Sequence, residues 1–458
     1  MGSDSGVFIS LVFYVIFGAI TLLPYFIRKT SLKALDPLQP YLVISALLFI
    51  YTISTLRGFE ATGLAEALES VSSYSVVKYA LACLVGQFGL AMGELVGPAT
   101  VWDAGQQHKI ASDDVNLRLL LGPGLVLGIA ALPFYVDRFD VFNVASYADA
   151  AFESRVVRSL DVTAGVKDVF LRDMPASLLL CACTALLFDG SRLFVVRLGA
   201  AAAIGAYALA SLLAGWRGQL VAVALLPFMY YHYRVRKVSL VLVALVGVSG
   251  YILVNAISVA RSSSDPAEMI ALLTEQIGTE GFGFLEITQS GELQTSTNLV
   301  RLIVGIDTGE DAYRWGEVVA SNILSTVPRV FWPDRPPTGS ELFVQVFYPG
   351  VLESGGGYGS FIFQDPYWDF GFFGVFLFAL GLAWAMRKVY AALIVDRGTA
   401  FSVLLYALIY GFMFLTVIRG GIFAGIKGAL IPAIPLLLIA AIARFAPAQA
   451  SVERSNVR

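Results

Sequence analysis

The sequence predicts an all-α polytopic membrane protein, and three observations carry that prediction. Hydrophobic residues make up 57% of the 458-residue chain and charged residues only 14%, about half of the ~25% that is usual in soluble domains. Mean hydropathy is +0.74. Several apolar runs approach the ~20 residues that a helix needs to cross a bilayer, and none alternates like the strands of an outer-membrane barrel. The chain is therefore expected to be a bundle of transmembrane helices.

The apolar runs predict about eleven transmembrane helices and a large loop. The expected spans cover approximately 7–27, 38–56, 75–97, 117–136, 173–189, 193–214, 218–233, 237–259, 367–385, 400–418 and 422–443. The start, MGSDSG, has no basic region, so the first run is expected to remain as a span rather than to be cleaved as a signal peptide. Three parts follow: a helix bundle (1–260), a large loop with short helices of its own (261–366), and C-terminal helices with a tail (367–458).

Basic residues in the short loops predict the orientation. Lys and Arg cluster at 28–33, 192–197, 234–237, 387–397 and 444–458, all on one side if the N-terminus is outside. By the positive-inside rule that side is the cytoplasm. The loop at 261–366 then faces outward, as does a shorter segment, 137–172, which is amphipathic around 145–160.

Charge and cysteine content exclude two classes of function. A net charge of −3 and a pI near 5.6 argue against a nucleic-acid partner. Cys83, Cys181 and Cys183 lie in apolar runs and are expected to be buried small side chains. A metal site would need further Cys or His ligands, and the only histidines are His108 and His232. We therefore expect no metal and no cofactor.

Arginines on the predicted outer side indicate an anion site. Arg217 in AGWRGQL and Arg419 in VIRGGIF fall in short outer turns, where basic residues are expected to be scarce, and each precedes a glycine. Any one of them alone is better explained as a snorkelling or solvated charge. Together they suit a phosphate or pyrophosphate, because the guanidinium fork donates two hydrogen bonds and stays charged. The others are Arg261, Arg301, Arg314, Arg329 and Arg335.

Three motifs of the large loop and its exit accompany these arginines. VPRVFWPDRPP (327–337) contains four prolines, which predict a stiff irregular segment rather than a helix. ESGGGYGS (353–360) is either a flexible turn or a close approach to a ligand, and it lacks the Gly-Lys-Ser/Thr of a Walker A loop. DPYWDFGFFG (365–374) places Tyr367 and Trp368 in an expected interfacial aromatic belt, with sugar stacking as the alternative.

The order of these features over 216–425 resembles Wzy-type O-antigen and oligosaccharide repeat-unit polymerases. The resemblance implies a GT-C-like glycosyltransferase of the bacterial inner membrane. Such an enzyme transfers a growing glycan from undecaprenyl pyrophosphate to an incoming lipid-linked repeat unit at the periplasmic face, without a nucleotide sugar. Its partners would be the lipid-linked oligosaccharide, the bilayer, and possible chain-length regulator and flippase proteins.

The arginine-rich pattern of that family matches Arg217, Arg329 and Arg419 best, and Arg261 and Arg335 next. The first three are the candidate leaving-group binders, because fixed guanidinium groups stabilise charge that develops on pyrophosphate. A general base is to be sought among the acids. The catalytic candidates are Arg217, Arg329, Arg419, Glu317 and Asp334, with Glu286, Asp307 and the in-span Glu94 also considered. The substrate-binding candidates are Arg261, Arg335, Arg301, Arg314, Tyr358 and Trp332.

Three other functions stay open at this point. An O-antigen ligase would share the architecture and the donor, but neither histidine falls in an outer loop, where that family carries one. A transporter or flippase would place paired ionisable residues at mid-membrane, and Glu94 and Lys427 are poor examples. A scaffold protein would leave the outer arginines unexplained.

Overall fold

The computed structural model describes residues 3–29, 36–61, 72–99, 115–130, 174–190, 193–213, 217–260, 293–327, 331–353 and 358–445. All regular structure within these ranges is helical. The helices are α1 (Ser3–Ile27), α2 (Pro40–Ala61), α3 (Ser73–Val96), α4 (Val115–Leu119), α5 (Met174–Ala185), α6 (Phe194–Leu213), α7 (Arg217–Tyr230), α8 (Leu240–Ala260), α9 (Thr297–Thr308), α10 (Glu317–Leu324), α11 (Gly339–Phe347), α12 (Pro349–Glu353), α13 (Gln364–Tyr390) and α14 (Ala400–Phe445). Short π-helical stretches extend α4, α5, α7 and α13.

Five helical stretches of the described chain are long and apolar enough to cross a membrane. They are Ser10–Ile27, Pro40–Gly58, Tyr74–Val96, Gln364–Val395 and Ala400–Ala443. Shorter apolar helices are Asn116–Ala130, Met174–Phe188, Phe194–Leu209 and Leu240–Gly250. The protein is thus a helical membrane protein, as its composition predicted.

α14 consists of two antiparallel arms joined by a reversal. A straight helix of its 46 residues would be about 69 Å long, more than twice the ~30 Å thickness of the hydrocarbon core. Gly421 leaves helical geometry with φ of +79° and ψ of 170°. A Cβ built on Gly428 would lie 3.4 Å from Cγ2 of Thr416, whereas twelve residues of straight helix separate two positions by about 18 Å. The arms are 400–420 and 422–445, close to the two predicted spans.

Glycines let α3 and α13 approach at backbone distance. Gly86, Gly89, Gly93 and Gly97 recur every three or four residues and so lie along one side of α3. A Cβ on Gly89 would lie 2.6 Å from the carbonyl oxygen of Phe376, and one on Gly93 would overlap the backbone of α13 in the same way. At Gly86 and Gly97 the Cβ would overlap side chains instead. Small residues at this spacing are the usual device for close helix packing in membranes. This helix pair is a central support of the bundle.

Asp36 is a buried carboxylate in the segment just before α2, and four donors surround it. His232 Nε2 lies 3.0 Å from Oδ1, and the hydroxyl groups of Tyr233 and Tyr390 donate to Oδ2 at 2.9 and 2.6 Å. The backbone N–H of Leu38 donates to Oδ1 at 3.0 Å. Burial raises the pKa of Asp36, but the hydrogen bonds from His232, Tyr390 and Leu38 outweigh it, so the pKa lies below its ordinary value.

Glu94 at the end of α3 is the second buried carboxylate of this region. Its Oε1 lies 3.2 Å from Arg28 Nη1 and 3.3 Å from Arg387 Nη1, and it accepts a hydrogen bond of 2.7 Å from Gln39 Nε2. Arg28 Nη2 also donates to the carbonyl oxygen of Glu94 at 2.6 Å, which satisfies a C-terminal carbonyl of the helix. Asp36, Glu94 and their donors form what we call the Asp36–Glu94 cluster.

The Asp36–Glu94 cluster joins helix ends that the sequence assigned to one side of the membrane. The ends of α1, α3, α7 and α13 and the start of α2 meet there. The basic loops after α1, α7 and α13 are therefore at the same end of the bundle, which we call the basic end. Glu94, expected near a span boundary, is only 2% exposed and is held in ion pairs.

Candidate functional site

Three segments that the sequence singled out meet at the end of the bundle opposite the basic end. They are the proline-rich segment, the segment after the glycine cluster and the turn after Arg419. The backbone N–H of Ile362 donates to the carbonyl oxygen of Ile418 at 3.1 Å. Gly359 packs on the carbonyl oxygen of Arg419 so closely that no side chain would fit. Arg419 lies about 20 Å along the first arm of α14 from Tyr406, which packs at the basic end, because the two residues are thirteen positions apart in the helix.

Asp365 in the first turn of α13 is the centre of this region. Its side chain is 2% exposed, and Oδ2 accepts a hydrogen bond of 2.9 Å from Asn322 Nδ2. Asn322 Oδ1 accepts in turn from the backbone N–H of Gly339 at 2.8 Å. The turn at Gly421 also approaches this carboxylate, since a Cβ there would lie 3.1 Å from Oδ2. Residues from α10, α11, α13 and α14 thus surround one carboxyl group.

Three buried polar atoms around Asp365 have no hydrogen-bond partner in the part of the chain that the structure describes. They are Asp365 Oδ1, Ser360 Oγ and Gln364 Nε2. Ser360 and Gln364 are 1% and 0% exposed. Buried polar groups in native proteins are nearly always hydrogen-bonded, and exceptions call for an explanation. We name Asn322, Ser360, Gln364 and Asp365 the Asp365 site.

Asp369, one turn after Asp365, docks α10 beside the site. It is 0% exposed and accepts hydrogen bonds from the backbone N–H groups of Val318 and Val319 at 3.1 and 2.8 Å. These are N-terminal N–H groups of α10 that have no partner within the helix. Because α10 is held this way, its Asn322 lies next to Asp365.

A kink in α13 completes the attachment of the loop helices. Phe370 and Gly371 leave helical geometry, and Gly371 has φ of +59°. The carbonyl oxygens of Trp368 and Asp369 accept hydrogen bonds from the backbone N–H groups of Arg314 and Trp315, at 3.0 and 3.2 Å. The kink therefore exchanges helical hydrogen bonds for contacts with the segment that leads into α10.

Cationic residues flank the Asp365 site. Arg419 is in the last turn of the first arm of α14, and its carbonyl oxygen contacts Gly359. Lys427 on the second arm is half-buried and lies within electrostatic range of Arg335 and Glu341. Arg335 belongs to the proline-rich segment, and its Nε and Nη1 atoms are buried. The region therefore combines positive charge with a buried carboxylate.

Arg301 and Arg314, two predicted substrate binders, are engaged with carboxylates. Arg301 forms a bidentate pair with Glu310 at 2.7 and 2.6 Å, and its guanidinium stacks 4.7 Å from the ring centre of Phe347. Arg314 lies 3.0 Å from Asp311 and 3.4 Å from Glu317. The guanidinium groups of both arginines hold the loop helices together. A phosphate could bind them only by displacing these carboxylates.

Glu317, Asp334, Trp332 and Tyr358, also predicted, are at the surface. The side chain of Glu317 is 56% exposed, Asp334 is exposed, and Trp332 and Tyr358 are 38% and 42% exposed. The ring of Tyr358 packs 4.7 Å from that of Tyr348. Neither acid is buried as Asp365 is.

Arg217 begins α7, at the same end of the bundle as Arg419. α7 runs antiparallel to the first arm of α14, because Tyr233 packs on Tyr406 with ring centres 5.4 Å apart and Ala222 packs on Gly411. The start of α7 is therefore level with the end of that arm. Three other predicted residues, Arg261, Arg329 and Glu286, lie outside the described residues, as does the segment 145–160.

The prediction of an interfacial belt at Tyr367 and Trp368 was wrong. They are 1% and 0% exposed. Trp368 Nε1 donates to Asp311 at 2.8 Å, and its ring packs 6.1 and 5.9 Å from those of Phe343 and Phe347. The helices of the large loop cover the start of α13, so these rings form a core between loop and bundle.

Sequence reasoning also missed Asp365 and Asn322. Both are short polar residues among apolar ones, and they are 43 positions apart, so no local motif connects them. The available signal was the Gln-Asp-Pro sequence at 364–366, directly after the apolar run FIF, which itself follows a glycine-rich segment. A polar residue that opens a membrane helix in such a place deserves testing as a site.

No group of three or more His, Cys, Asp or Glu that could hold a metal ion occurs among the residues described. Cys83, Cys181 and Cys183 are buried free thiols, as expected. Comparisons with family models, curated proteins and solved structures find no match to this chain.

Proposed function

We propose that the protein is a polysaccharide polymerase that transfers a growing glycan from undecaprenyl pyrophosphate to an incoming lipid-linked repeat unit. It would have about eleven spans in a GT-C-like arrangement in the bacterial inner membrane, with the N-terminus in the periplasm and the C-terminus in the cytoplasm. Reaction would take place at the periplasmic end. Chain-length regulators and a flippase are the expected protein partners.

One observation carries the proposal. The proline-rich segment with Arg335, the segment after the glycine cluster, and the turn after Arg419 are far apart in the sequence, yet they meet at the end opposite the basic end. The basic end is the one that the positive-inside rule assigns to the cytoplasm. A reaction on exported lipid-linked glycans needs its cationic residues on the other side.

The chemistry asks for fixed positive charge near pyrophosphate. Breaking the bond between the anomeric carbon and pyrophosphate develops negative charge on the leaving oxygen. Arginines held by the protein stabilise this charge more in the transition state than in the ground state. Arg217, Arg329 and Arg419 are the proposed leaving-group binders, and Arg335 and Lys427 add charge beside them. Two guanidinium groups can supply the electrostatic stabilisation that a metal ion gives in other transferases.

Transport is a weaker hypothesis than polymerisation. Glu94, the acid that a transporter would use, is locked between Arg28 and Arg387 at the basic end. Lys427 lies within electrostatic range of Arg335 and Glu341, so it is not an isolated mid-membrane charge. Both observations favour a site at one membrane face over a pathway through the bundle.

The test is the size distribution of lipid-linked and surface glycans in cells with and without the protein. We expect single repeat units in its absence and longer chains when it is restored. Arg419→Ala should abolish elongation, and Arg419→Lys should restore it only in part, because a point charge replaces a planar fork. Arg301→Ala, which breaks a pair within the loop, is the matched control and should leave the ladder unchanged.

Two results would reject the polymerase. Full-length polymer that persists on its lipid carrier in the deletion strain would favour a ligase. An unchanged ladder would return the protein to transport or scaffold functions.

A further inference from the structure

We propose that the Asp365 site binds a hydroxyl group of the acceptor sugar and that Asp365 takes its proton during transfer. The inference rests on the proposed polymerase function and adds the acceptor side of the reaction to it. It assigns a proton acceptor that the exposed acids Glu317 and Asp334 do not provide, because both are at the surface.

Asp365 is under-satisfied compared with the other buried aspartates. Asp36 accepts from four donors, and Asp369 accepts from two backbone N–H groups. Asp365 accepts one hydrogen bond within 3.5 Å, from Asn322 at Oδ2, and the Ser360 side chain lies near the carboxyl group without forming a bond of that length. Its Oδ1 has no partner within that distance among the described residues. A carboxylate buried in this way is stabilised by a donor from outside the protein, and a hydroxyl group is such a donor.

The other two unsatisfied atoms complement a sugar rather than a simple ion. Asp365 Oδ1 can only accept while the carboxyl group is ionised, Gln364 Nε2 can only donate, and Ser360 Oγ can do either. Neighbouring hydroxyl groups of a pyranose offer a donor and an acceptor side by side. A few convergent polar atoms within apolar surroundings are typical of small-molecule sites.

The site geometry holds Asp365 ready for proton transfer. Asn322 binds Oδ2 at 2.9 Å and is itself fixed by the N–H of Gly339, so the carboxyl group has one oxygen anchored and one available. A carboxylate anchored through one oxygen keeps its orientation while the other oxygen reacts. Asn322 is thus a positioning residue.

The proposed step is balanced without any co-reactant. The acceptor oxygen attacks the anomeric carbon of the donor glycan and forms the new glycosidic bond. The bond from that carbon to pyrophosphate breaks, and its electron pair leaves on the pyrophosphate oxygen. The proton of the acceptor hydroxyl passes to Asp365 Oδ1. The carboxyl group returns the proton to solvent after release.

The reversal of α14 brings the segment of the leaving-group cation close to the proton acceptor. A Cβ on Gly421 would lie 3.1 Å from Asp365 Oδ2, and Arg419 is two residues earlier. The leaving-group cation and the proton acceptor are therefore on adjoining backbone segments. Transfer between two lipid-linked substrates requires such proximity.

The experiment measures elongation by the purified full-length protein in lipid nanodiscs, with lipid-linked repeat units as substrate. We expect Asp365→Asn to lower kcat about 100-fold or more, the usual contribution of a general base, with KM changed less than about threefold. Asp365→Glu should recover part of the rate. The kcat of the wild type should fall when the pH is lowered, whereas the residual kcat of Asp365→Asn should stay constant over the same series of pH values.

Asp36→Asn is the matched control, because Asp36 is a similarly buried carboxylate at the opposite end of the bundle. It should lower the thermal unfolding temperature and leave kcat and the pH profile unchanged. Ser360→Ala provides a second measurement that does not alter the carboxyl group, and it should raise the KM for the acceptor about tenfold.

The outcomes separate the inference from the function on which it rests. If the wild-type protein makes no polymer from authentic substrate, the polymerase proposal fails. If the wild type elongates but Asp365→Asn keeps its kcat, the inference is overturned and the three polar atoms are assigned to structural water. An unchanged acceptor KM in Ser360→Ala overturns it equally, even if Asp365→Asn proves unstable.

Discussion

Asp36 and Asp365 are buried to the same degree at opposite ends of one bundle, with 4% and 2% of their surfaces exposed. Four donors hydrogen-bond to the first, whereas the second accepts one hydrogen bond within 3.5 Å and has Ser360 nearby. The Asp36–Glu94 cluster is therefore saturated, and the Asp365 site is not. Burial alone does not distinguish a structural carboxylate from a functional one, whereas the number of donors does.

The most direct test of this difference is to replace each aspartate by asparagine and to measure the free energy of unfolding in detergent. Asp36→Asn should lower the free energy of unfolding by about 3–5 kcal/mol, because its donors lose a charged acceptor in a buried network. Asp365→Asn should change it by less than about 1 kcal/mol, because only one hydrogen bond is affected. A larger loss for Asp365→Asn would mean that both ends are structural.

The pH dependence of stability in Asp36→Asn and in the wild type provides a second test. The pKa of Asp36 is lowered in the folded protein, so its carboxylate stabilises the fold above the unfolded value of about 3.9 and loses that effect as the pH falls through the folded value. The free energy of unfolding of Asp36→Asn should differ most from that of the wild type at neutral pH, and the difference should shrink below about pH 4. If the difference in unfolding free energy stays constant with pH, the loss comes from packing rather than from the charge of Asp36.

The helix pair that joins the two ends gives the next largest effect. Gly93→Ala would bring a Cβ within 2.8 Å of that of Ala383 and onto the backbone of α13, so α3 and α13 must separate. We expect a loss of about 1–3 kcal/mol, typical of overpacking. Gly381→Ala on α13, where nothing lies within 4 Å, should be neutral or slightly stabilising. Equal effects in the two variants would contradict the close packing.

The reversal at Gly421 should affect activity more than stability. Gly421→Ala is strained at φ of +79° and also places its Cβ 3.1 Å from Asp365 Oδ2. Gly309→Ala is less strained, because Gly309 has φ of +76° and ψ of 15° in the left-handed region and nothing lies within 4 Å of its Cβ position. Gly309→Ala should lose about 1–2 kcal/mol and Gly421→Ala about 1–3 kcal/mol, and only Gly421→Ala should reduce elongation. If both variants elongate normally, the reversal does not shape the site.

The smallest effect is expected for the pairs that hold the loop helices. Arg301→Ala breaks the pair with Glu310, whose side chain is 41% exposed. Solvent screens such a pair, so the loss should be below about 1 kcal/mol. The measurement is thermal unfolding, with elongation as a second readout that should not change. A complete loss of elongation would place Arg301 in the substrate site after all.

Sequence patterns predicted the helices well because each depends on a run of neighbouring residues. The prediction of two spans at 400–418 and 422–443, with a turn at Arg419 and Gly420, is close to the observed arms. Hydropathy and the glycine pair carried that signal locally. The shared location of the basic loop ends follows from the same kind of local information.

The Asp365 site could not be predicted in this way because its members come from distant segments. Asn322, Gly339 and Asp365 interact only because Asp369 docks α10 on the start of α13. Periodicity reports which side of a helix is apolar, and it does not report which polar residue another segment will reach. The same limit explains Trp368, whose burial depends on loop helices that hydropathy cannot position.

The Gly421 reversal also has a consequence for biogenesis. With no connecting loop between the arms, the first arm reaches its final packing only after the second has been synthesised. We expect the two to enter together as a helical hairpin, whose second arm adds apolar surface that offsets the cost of carrying Arg419 past the bilayer centre, about 2.5–3.5 kcal/mol. In a ribosome-bound chain that ends shortly after Gly421, a cysteine placed in the first arm should therefore react with a water-soluble maleimide, and in one that includes the second arm it should not.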